Sequence, residues 1–312
     1  MSKELKGKIV KGLGGLYETR CADGDDVTRI ACRAKGTLKR GDEKLLIGDN
    51  VLITVDEDTP DGVVISELLP RKNALIRPPM ANLDILFLVF SAKKPCPQLE
   101  TVDKLTAIAE HNSIEPVIVI TKTDLDAAYA EELYGVYSGA GFATFVTSSF
   151  DSIGLAELKA FVRERVRGGV TAAFAGASGV GKSTLLNALF PELALATGEI
   201  SRKIERGKHT TRHVEIFEVG EGSSAGFLAD TPGFSLIDFE RFDFFEVEDL
   251  LPSFRDILPH ASGCRYQDCA HVGESKEECA VARAADEGLI ATSRLESYRS
   301  IYRVLKNKNK YE

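Results

Sequence analysis

The sequence predicts a multidomain α/β protein. A small β domain comes first, then a domain of alternating strands and helices, then a helical segment carrying clustered metal-ligating side chains. Three observations carry this prediction. Ile85-Leu86-Phe87-Leu88-Val89-Phe90 and Pro116-Val117-Ile118-Val119-Ile120 are continuous apolar runs, as in strands buried on both faces, with apolar residues at helical spacing between them. Val170 to Ala175 leads into Gly176-Ala177-Ser178-Gly179-Val180-Gly181-Lys182-Ser183, which fits the pattern G-x-x-x-x-G-K-[ST]. After about residue 238 the strand signals stop, and Cys264, Cys269, His271 and Cys279 gather in the remaining chain.

Each element follows in order. Lys8-Ile9-Val10, Asp49 to Val55 and Gly62 to Ile65 are short apolar runs between turns such as Asp23-Gly24-Asp25 and Pro60-Asp61-Gly62. They predict a small barrel, with an OB-type barrel one candidate among several. Pro70 and Pro78-Pro79 bracket an expected linker. Beyond the strand at 85–90, Leu99, Val102, Leu105 and Ile108 mark a helix face. The strand at 116–120 is followed by a helix through Leu133, Val136 and Tyr137, then a short strand from Phe142 to Val146. Leu155, Leu158, Phe161 and Val162 mark the next helix, before the strand at 170–175. Such alternation predicts a mainly parallel sheet. Val214 to Val219 and Gly226 to Asp230 flank a glycine- and serine-rich turn and read as a hairpin. Leu295, Tyr298, Ile301, Tyr302 and Leu305 give Ala291 to Lys306 an amphipathic helical pattern. The expected domains are 1–72, 73–238 and 239–312.

Composition narrows the class. With 44% hydrophobic and 28% charged residues the chain has the make-up of an ordinary soluble protein. No apolar run approaches the ~20 residues that span a bilayer. Met1 to Lys6 lacks the apolar core of a signal peptide. A cytoplasmic protein without membrane contact is expected. The net charge of −8 argues against general nucleic-acid binding. Arg299, Arg303, Lys306, Lys308 and Lys310 nevertheless form an acid-free basic tail, either a solvated helix end or an RNA contact. Cys21, Cys32 and Cys96 are scattered and read as small apolar residues. The other three cysteines cluster, which in a cytosolic chain suggests a metal before a disulfide.

The glycine-rich motif implies a loop whose backbone N–H groups wrap nucleotide phosphates at a helix N-terminus. Gly176 and Gly181 permit the turns, Lys182 reaches the β- and γ-phosphates, and the Ser183 hydroxyl binds magnesium; Ala177, Ser178, Gly179, Val180 and Thr184 complete the contact set. Asp230-Thr231-Pro232-Gly233 follows an apolar strand, as a magnesium-side aspartate should, and the Gly233 N–H would sense the γ-phosphate. Arg206 to Arg212 lies between them, where Thr210 or Thr211 could close over magnesium and the γ-phosphate. Thr121-Lys122-Thr123-Asp124 follows a buried strand. The Asp124 carboxylate could accept from both the ring N1–H and the exocyclic amine of guanine, a donor pair that adenine lacks. Val146-Thr147-Ser148-Ser149 occupies the place of a second base-contacting loop. The base motif precedes the phosphate loop, the reverse of the ordinary order, so a circularly permuted GTPase is expected. Ras-type enzymes place a water-orienting glutamine after the D-x-x-G glycine. Phe234 stands there, so slow hydrolysis by the free protein is expected, with His209, Lys182 and Thr211 as catalytic candidates. Cys264, Cys269, His271 and Cys279 offer three thiolates and one imidazole, a closed tetrahedral set for one structural zinc.

Together these motifs resemble the ribosome small subunit-dependent GTPase A family over essentially the whole chain. The resemblance rests on Thr-Lys-Thr-Asp before Gly-Ala-Ser-Gly-Val-Gly-Lys-Ser-Thr, then His-Thr-Thr, Asp-Thr-Pro-Gly-Phe and the Cys-Cys-His-Cys cluster. It implies an N-terminal OB fold, a central GTPase and a C-terminal zinc domain. It also implies GTP and GDP as ligands, binding to the small ribosomal subunit and its rRNA, and a role in late subunit maturation. Thr121 departs from the family's usual asparagine, and Ser149 from its usual alanine. A monomer is expected. The competing classes are a phosphate-loop ATPase or small-molecule kinase, and an RNA-binding zinc protein with a vestigial nucleotide fold.

Overall fold

The N-terminal strands alternate apolar and polar residues, and a sheet of that kind hides its apolar face by closing on itself. A computed structural model of the chain describes residues 3–24, 26–39, 44–55, 62–76, 79–191, 215–230 and 245–308. In it β1 (Lys3–Leu13), β2 (Leu16–Asp23), β3 (Asp26–Ala34), β4 (Asn50–Val55) and β5 (Val63–Leu68) form a closed barrel in the order β1-β2-β3-β5-β4. Four of the five pairings are antiparallel, while β3 and β5 run parallel. Ile9, Cys21, Cys32, Val51, Ile53 and Ile65 fill the core. A register shift between Ile9 and Lys11 lets the neighbours Ile9 and Val10 both be buried. Gly7 allows a close approach of β1 to β2, since a Cβ there would lie 2.9 Å from Cys21 Sγ.

The expected linker is instead ordered β structure. β6 (Ala74–Ile76) pairs with β7 (Pro79–Ala81), and the Ala81 N–H donates to Ile47 O at 2.8 Å. Pro79 is compatible with this because it opens its strand, where a missing N–H costs least. Arg71 grips the buried Asp49 with two hydrogen bonds, of 2.7 and 2.8 Å.

By its contacts the chain divides into two units, Met1–Ile85 with Ala156–Ala175 and Leu185–Phe234, and Leu86–Leu155 with Gly176–Thr184 and Ser235–Glu312. The first contains the barrel, most of α4 (Leu155–Arg165), β11 (Thr171–Ala175), β12 (Glu215–Val219) and β13 (Gly226–Asp230). β11 and β13 are parallel, and β12 and β13 form the expected antiparallel hairpin. The barrel is clamped to that hairpin. Arg20 and Arg29 both bind the Glu218 carboxylate, at 2.7 and 2.8 Å, and Arg20 also donates to Gly222 O. Burial raises the Glu218 pKa, but the two guanidinium groups outweigh it and hold the carboxyl below its ordinary value. Lys8 reaches Thr171 Oγ1 at 3.0 Å over the Phe227 ring.

The second unit holds nearly all of β8 (Ile85–Ser91), whose seven residues are all buried, with β9 (Glu115–Thr121) beside it and β10 (Ala143–Val146) parallel to β9. α2 (Leu99–His111) and α3 (Ala127–Gly139) follow the strands, as the sequence patterns predict. The C-terminal segment is α6 (Val247–Leu250), α7 (Leu258–Ala261), α8 (Ala280–Asp286) and α9 (Thr292–Lys308). Phe245, Phe254, Val281, Leu295, Tyr298 and Ile301 form its core, shared with Ala107 and Ile108 of α2. Arg294 lies fully buried in that interface, bonded to Asp103 of α2 at 2.7 Å and to Asp256 at 2.8 Å. None of the described helices is long and apolar enough to cross a membrane.

Candidate functional site

Three glycines shape the phosphate loop. Gly176, Gly179 and Gly181 have φ of 154°, 81° and 99°, which side-chain-bearing residues rarely adopt. A Cβ on Gly176 would sit 2.0 Å from Val89 O, so the loop can leave β11 there only with glycine. Val180 is buried and anchors the loop, while Ala177, Ser178 and Gly179 stay exposed. Lys182 opens α5 (Lys182–Leu189) and folds back to donate to Gly176 O and Ala177 O, at 2.5 and 2.8 Å. Its ammonium therefore sits within the curve of the loop. Ser183 and Thr184 are exposed on the first turn of the helix, where unpaired N–H groups favour anions.

The base motif is hydrogen-bonded directly to that loop. The Thr121 hydroxyl, at the end of β9, lies 2.5 Å from Val180 O and 3.2 Å from Phe90 O. Lys122, at φ 57°, sends its ammonium to Gly179 O and Lys94 O, both at 2.7 Å. Two consecutive phosphate-loop carbonyls are thus held by two consecutive residues of the base motif. The Thr123 N–H points to Thr147 O at 3.4 Å, and exposed Asp124 accepts from the Ser148 hydroxyl at 2.7 Å. The short loop after β10 is therefore tied to the carboxylate expected to read the base.

Two of these partners had weak sequence signals or none. Lys94 belongs to no motif, although it follows a buried strand at the end where α/β proteins place ligands. Ser148 was marked only by its position. Cys96, expected to be a small apolar residue, is instead exposed. It lies in the loop after β8 rather than inside a strand, so it has no core to join; Cys21 and Cys32 are buried in the barrel.

His209, Thr210, Thr211, Gly233 and Phe234 lie outside the described residues, as does the side chain of Asp230, whose backbone ends β13.

The second cluster is the cysteine–histidine set. The Cys264, Cys269 and Cys279 sulfurs lie 3.6, 3.4 and 3.5 Å from His271 Nδ1, and Cys264 Sγ is 4.0 Å from Cys279 Sγ. All four ligand atoms fall within 4.8 Å of one another. A tetrahedral ion with bonds of about 2.0–2.3 Å requires ligand separations of roughly 3.5–3.8 Å, so the donor set fits a metal ion. Burial, followed by the neighbouring thiols, pushes the Cys269 thiol up to about 12, even though hydrogen bonding to the His271 backbone opposes the rise. Thiolates at this spacing need a cation. Burial lowers the His271 pKa and favours the neutral ligand form. Cys279 caps α8 and accepts the Ala282 N–H, and Arg299 donates to His271 O at 2.9 Å. Arg299 therefore supports the loop that carries His271, and among the described side chains of α9 Arg303 and Lys306 are the exposed cations.

Comparison with known proteins agrees with this geometry. Residues 68–240 match the RsgA GTPase model and residues 6–64 the RsgA N-terminal domain model. The small ribosomal subunit biogenesis GTPase RsgA of Alkaliphilus metalliredigens is 41% identical over 308 residues, covering 98% of this chain and 99% of that protein. Its Bacillus subtilis counterpart is 39% identical, covering 94% and 95%. The crystal structure of YloQ, described as a circularly permuted GTPase, superposes with a TM-score of 0.76 at 32% identity, covering 98% of this chain and 96% of that one. YjeQ from Thermotoga maritima gives 0.76 at 30% identity, covering 97% and 99%. The closed barrel, the central permuted nucleotide-binding fold and the helical segment with its Cys/His cluster are one family architecture, and this chain belongs to the RsgA GTPase family.

Proposed function

We propose that this chain binds and hydrolyses GTP and uses the cycle in maturation of the small ribosomal subunit. One observation carries the nucleotide reading: Thr121 and Lys122 are hydrogen-bonded to Val180 and Gly179, joining a base-reading carboxylate and a phosphate cradle in one site. The relatives' names supply the subunit. Backbone N–H groups from Gly176 to Thr184 bind the phosphates, and Lys182 neutralises the β- and γ-phosphate oxygens. Ser183, Asp230 and one of Thr210 and Thr211 hold magnesium, which supplies charge neutralisation when bound. Gly233 senses the γ-phosphate. Asp124 selects guanine, supported by Thr121, Lys122 and Thr123. His209 orients the attacking water, replacing the glutamine that Phe234 displaces.

The Cys264, Cys269, His271 and Cys279 set holds one structural zinc, since three thiolates and an imidazole leave no position for substrate. The barrel of domain 1–72 and the exposed Arg303 and Lys306 of domain 239–312, which precede and follow the GTPase domain 73–238 in the sequence, contact rRNA. The protein acts as a cytoplasmic monomer.

The test is nucleotide choice together with stimulated turnover. Asp124→Asn should weaken GTP and favour xanthosine triphosphate, losing about 1.5–3 kcal/mol per charged hydrogen bond to guanine. Wild-type turnover of GTP should be slow alone and rise with purified small subunits, and His209→Ala should lose most of the rise. Equal wild-type affinity for ATP and GTP would support the ATPase or kinase class instead.

A further inference from the structure

Phe150 is 88% exposed, in a loop that is otherwise tightly held. Ser148 and Ile153 form a bridge across the loop, with the Ser148 N–H donating to Ile153 O at 3.1 Å. The Ser148 hydroxyl accepts from the Asp151 N–H at 3.2 Å and donates to Asp124 at 2.7 Å. Gly154, at φ 67°, brings the chain so close to β10 that a Cβ would lie 2.0 Å from Val146 O. Holding a large aromatic ring in water on an ordered loop forfeits the burial that usually stabilises it.

Phe150 stands two residues from Ser148, and Ser148 is one hydrogen bond from Asp124. Leu125, the next residue after Asp124, and Ile153, bridged to Ser148, are 58% and 49% exposed. Two residues before Asp124 the Lys122 ammonium is fixed by Gly179 O and Lys94 O, which immobilises its methylene stem. An exposed carboxylate, a lysine with a pinned aliphatic stem two residues before it, and an exposed aromatic ring two residues beyond the serine that bonds that carboxylate suit a flat heterocycle, read at its edge by the acid and covered on its faces by apolar groups.

We infer that Phe150 is a base-binding residue that stacks on the guanine held by Asp124, opposite the Lys122 stem. This rests on the proposed nucleotide reading and adds a specific contact to it. Stacking of an aromatic side chain tolerates any base, so Phe150 adds affinity for the nucleoside while Asp124 provides selectivity.

The chain has no tryptophan, so Phe150→Trp creates a single tryptophan, selectively excited at wavelengths where tyrosine does not absorb, in the full-length protein. Binding of GDP carrying an N-methylanthraniloyl label is measured for wild type, Phe150→Ala, Phe150→Tyr and Phe150→Trp, with inorganic pyrophosphate as a base-free competitor. Phe150→Ala should raise the Kd for labelled GDP about tenfold while the pyrophosphate Kd stays unchanged. Phe150→Tyr should bind like wild type, and tryptophan emission in Phe150→Trp should transfer to the label. If wild type fails to bind labelled GDP, the nucleotide reading falls, and this inference with it. If wild type binds and Phe150→Ala binds equally well, the stacking role alone is refuted. Equal losses for GDP and pyrophosphate would make Phe150 a loop-packing residue instead. Unchanged GDP affinity with weakened small-subunit association would make it a docking residue. Either result overturns the inference.

Discussion

Replacing Thr121 with valine removes one hydroxyl and leaves the side-chain shape nearly unchanged. That hydroxyl is buried, 2.5 Å from Val180 O, and Val180 is itself buried. It has one proton to give, and the shorter contact makes Val180 O the acceptor over Phe90 O at 3.2 Å. Leaving a buried carbonyl without its donor costs about 1–3 kcal/mol. If the cost falls on the conformation that binds nucleotide, GDP affinity drops by about 5- to 150-fold. If it falls on the folded chain as a whole, the midpoint of thermal unfolding drops by several degrees, about 2–4 °C per kcal/mol for a domain of 150–250 residues. Titration calorimetry with GDP and a thermal melt of the same preparation measure both. Thr121→Ser and Thr121→Asn each keep a donor and should stay near wild type; asparagine is the residue usual in the resembling family. A valine variant matching wild type in both GDP affinity and melting would refute the claim that this bond couples the base motif to the phosphate loop.

Three further outcomes are expected. Protein purified without chelators should carry one zinc per chain, and Cys269→Ala should lose it and loosen the C-terminal helices while still binding GDP; full zinc retention by the variant, read by elemental analysis, would contradict the proposed site. Arg294→Met should destabilise the chain by about 3–5 kcal/mol in urea unfolding, because Asp103 and Asp256 would keep buried carboxyl groups without their guanidinium, and a loss below about 1 kcal/mol would show that the network contributes little. Burial lowers the Lys8 pKa to about 8, against the raising effect of Asp84. Its folded pKa lies below the unfolded value, so the unfolded chain binds more protons between about pH 8 and about pH 10.5, and stability rises with pH across that window. Wild-type stability minus that of Lys8→Met should therefore climb by about 2–3 kcal/mol from about pH 7 to about pH 10, and a flat difference would show that Lys8 is not desolvated.

Local patterns in the sequence were enough to locate the glycine-rich loop after β11, the buried strands of the α/β domain, the β12–β13 hairpin, the long C-terminal helix and the four residues of the Cys/His cluster. Each depends on neighbouring residues: side-chain periodicity, glycines at strained φ, or thiol and imidazole groups spaced within one short segment. The barrel was partly legible. Three of its strands stood out as apolar runs, but β2 and β3 mix charged residues into the exposed face and gave no clear signal. The Pro70–Pro79 stretch looked like a linker because proline marks breaks locally, whereas pairing with Ile47 is a tertiary event. Only the folded structure showed that Thr121 supports Val180 across 59 residues and that Arg294 lies buried between Asp103 and Asp256, 191 and 38 residues away. Sequence motifs name the side chains that can do chemistry, because their backbone settings recur locally. Partners brought together by chain closure have no such local pattern, so the hydrogen bonds that hold the site were decided by the tertiary fold.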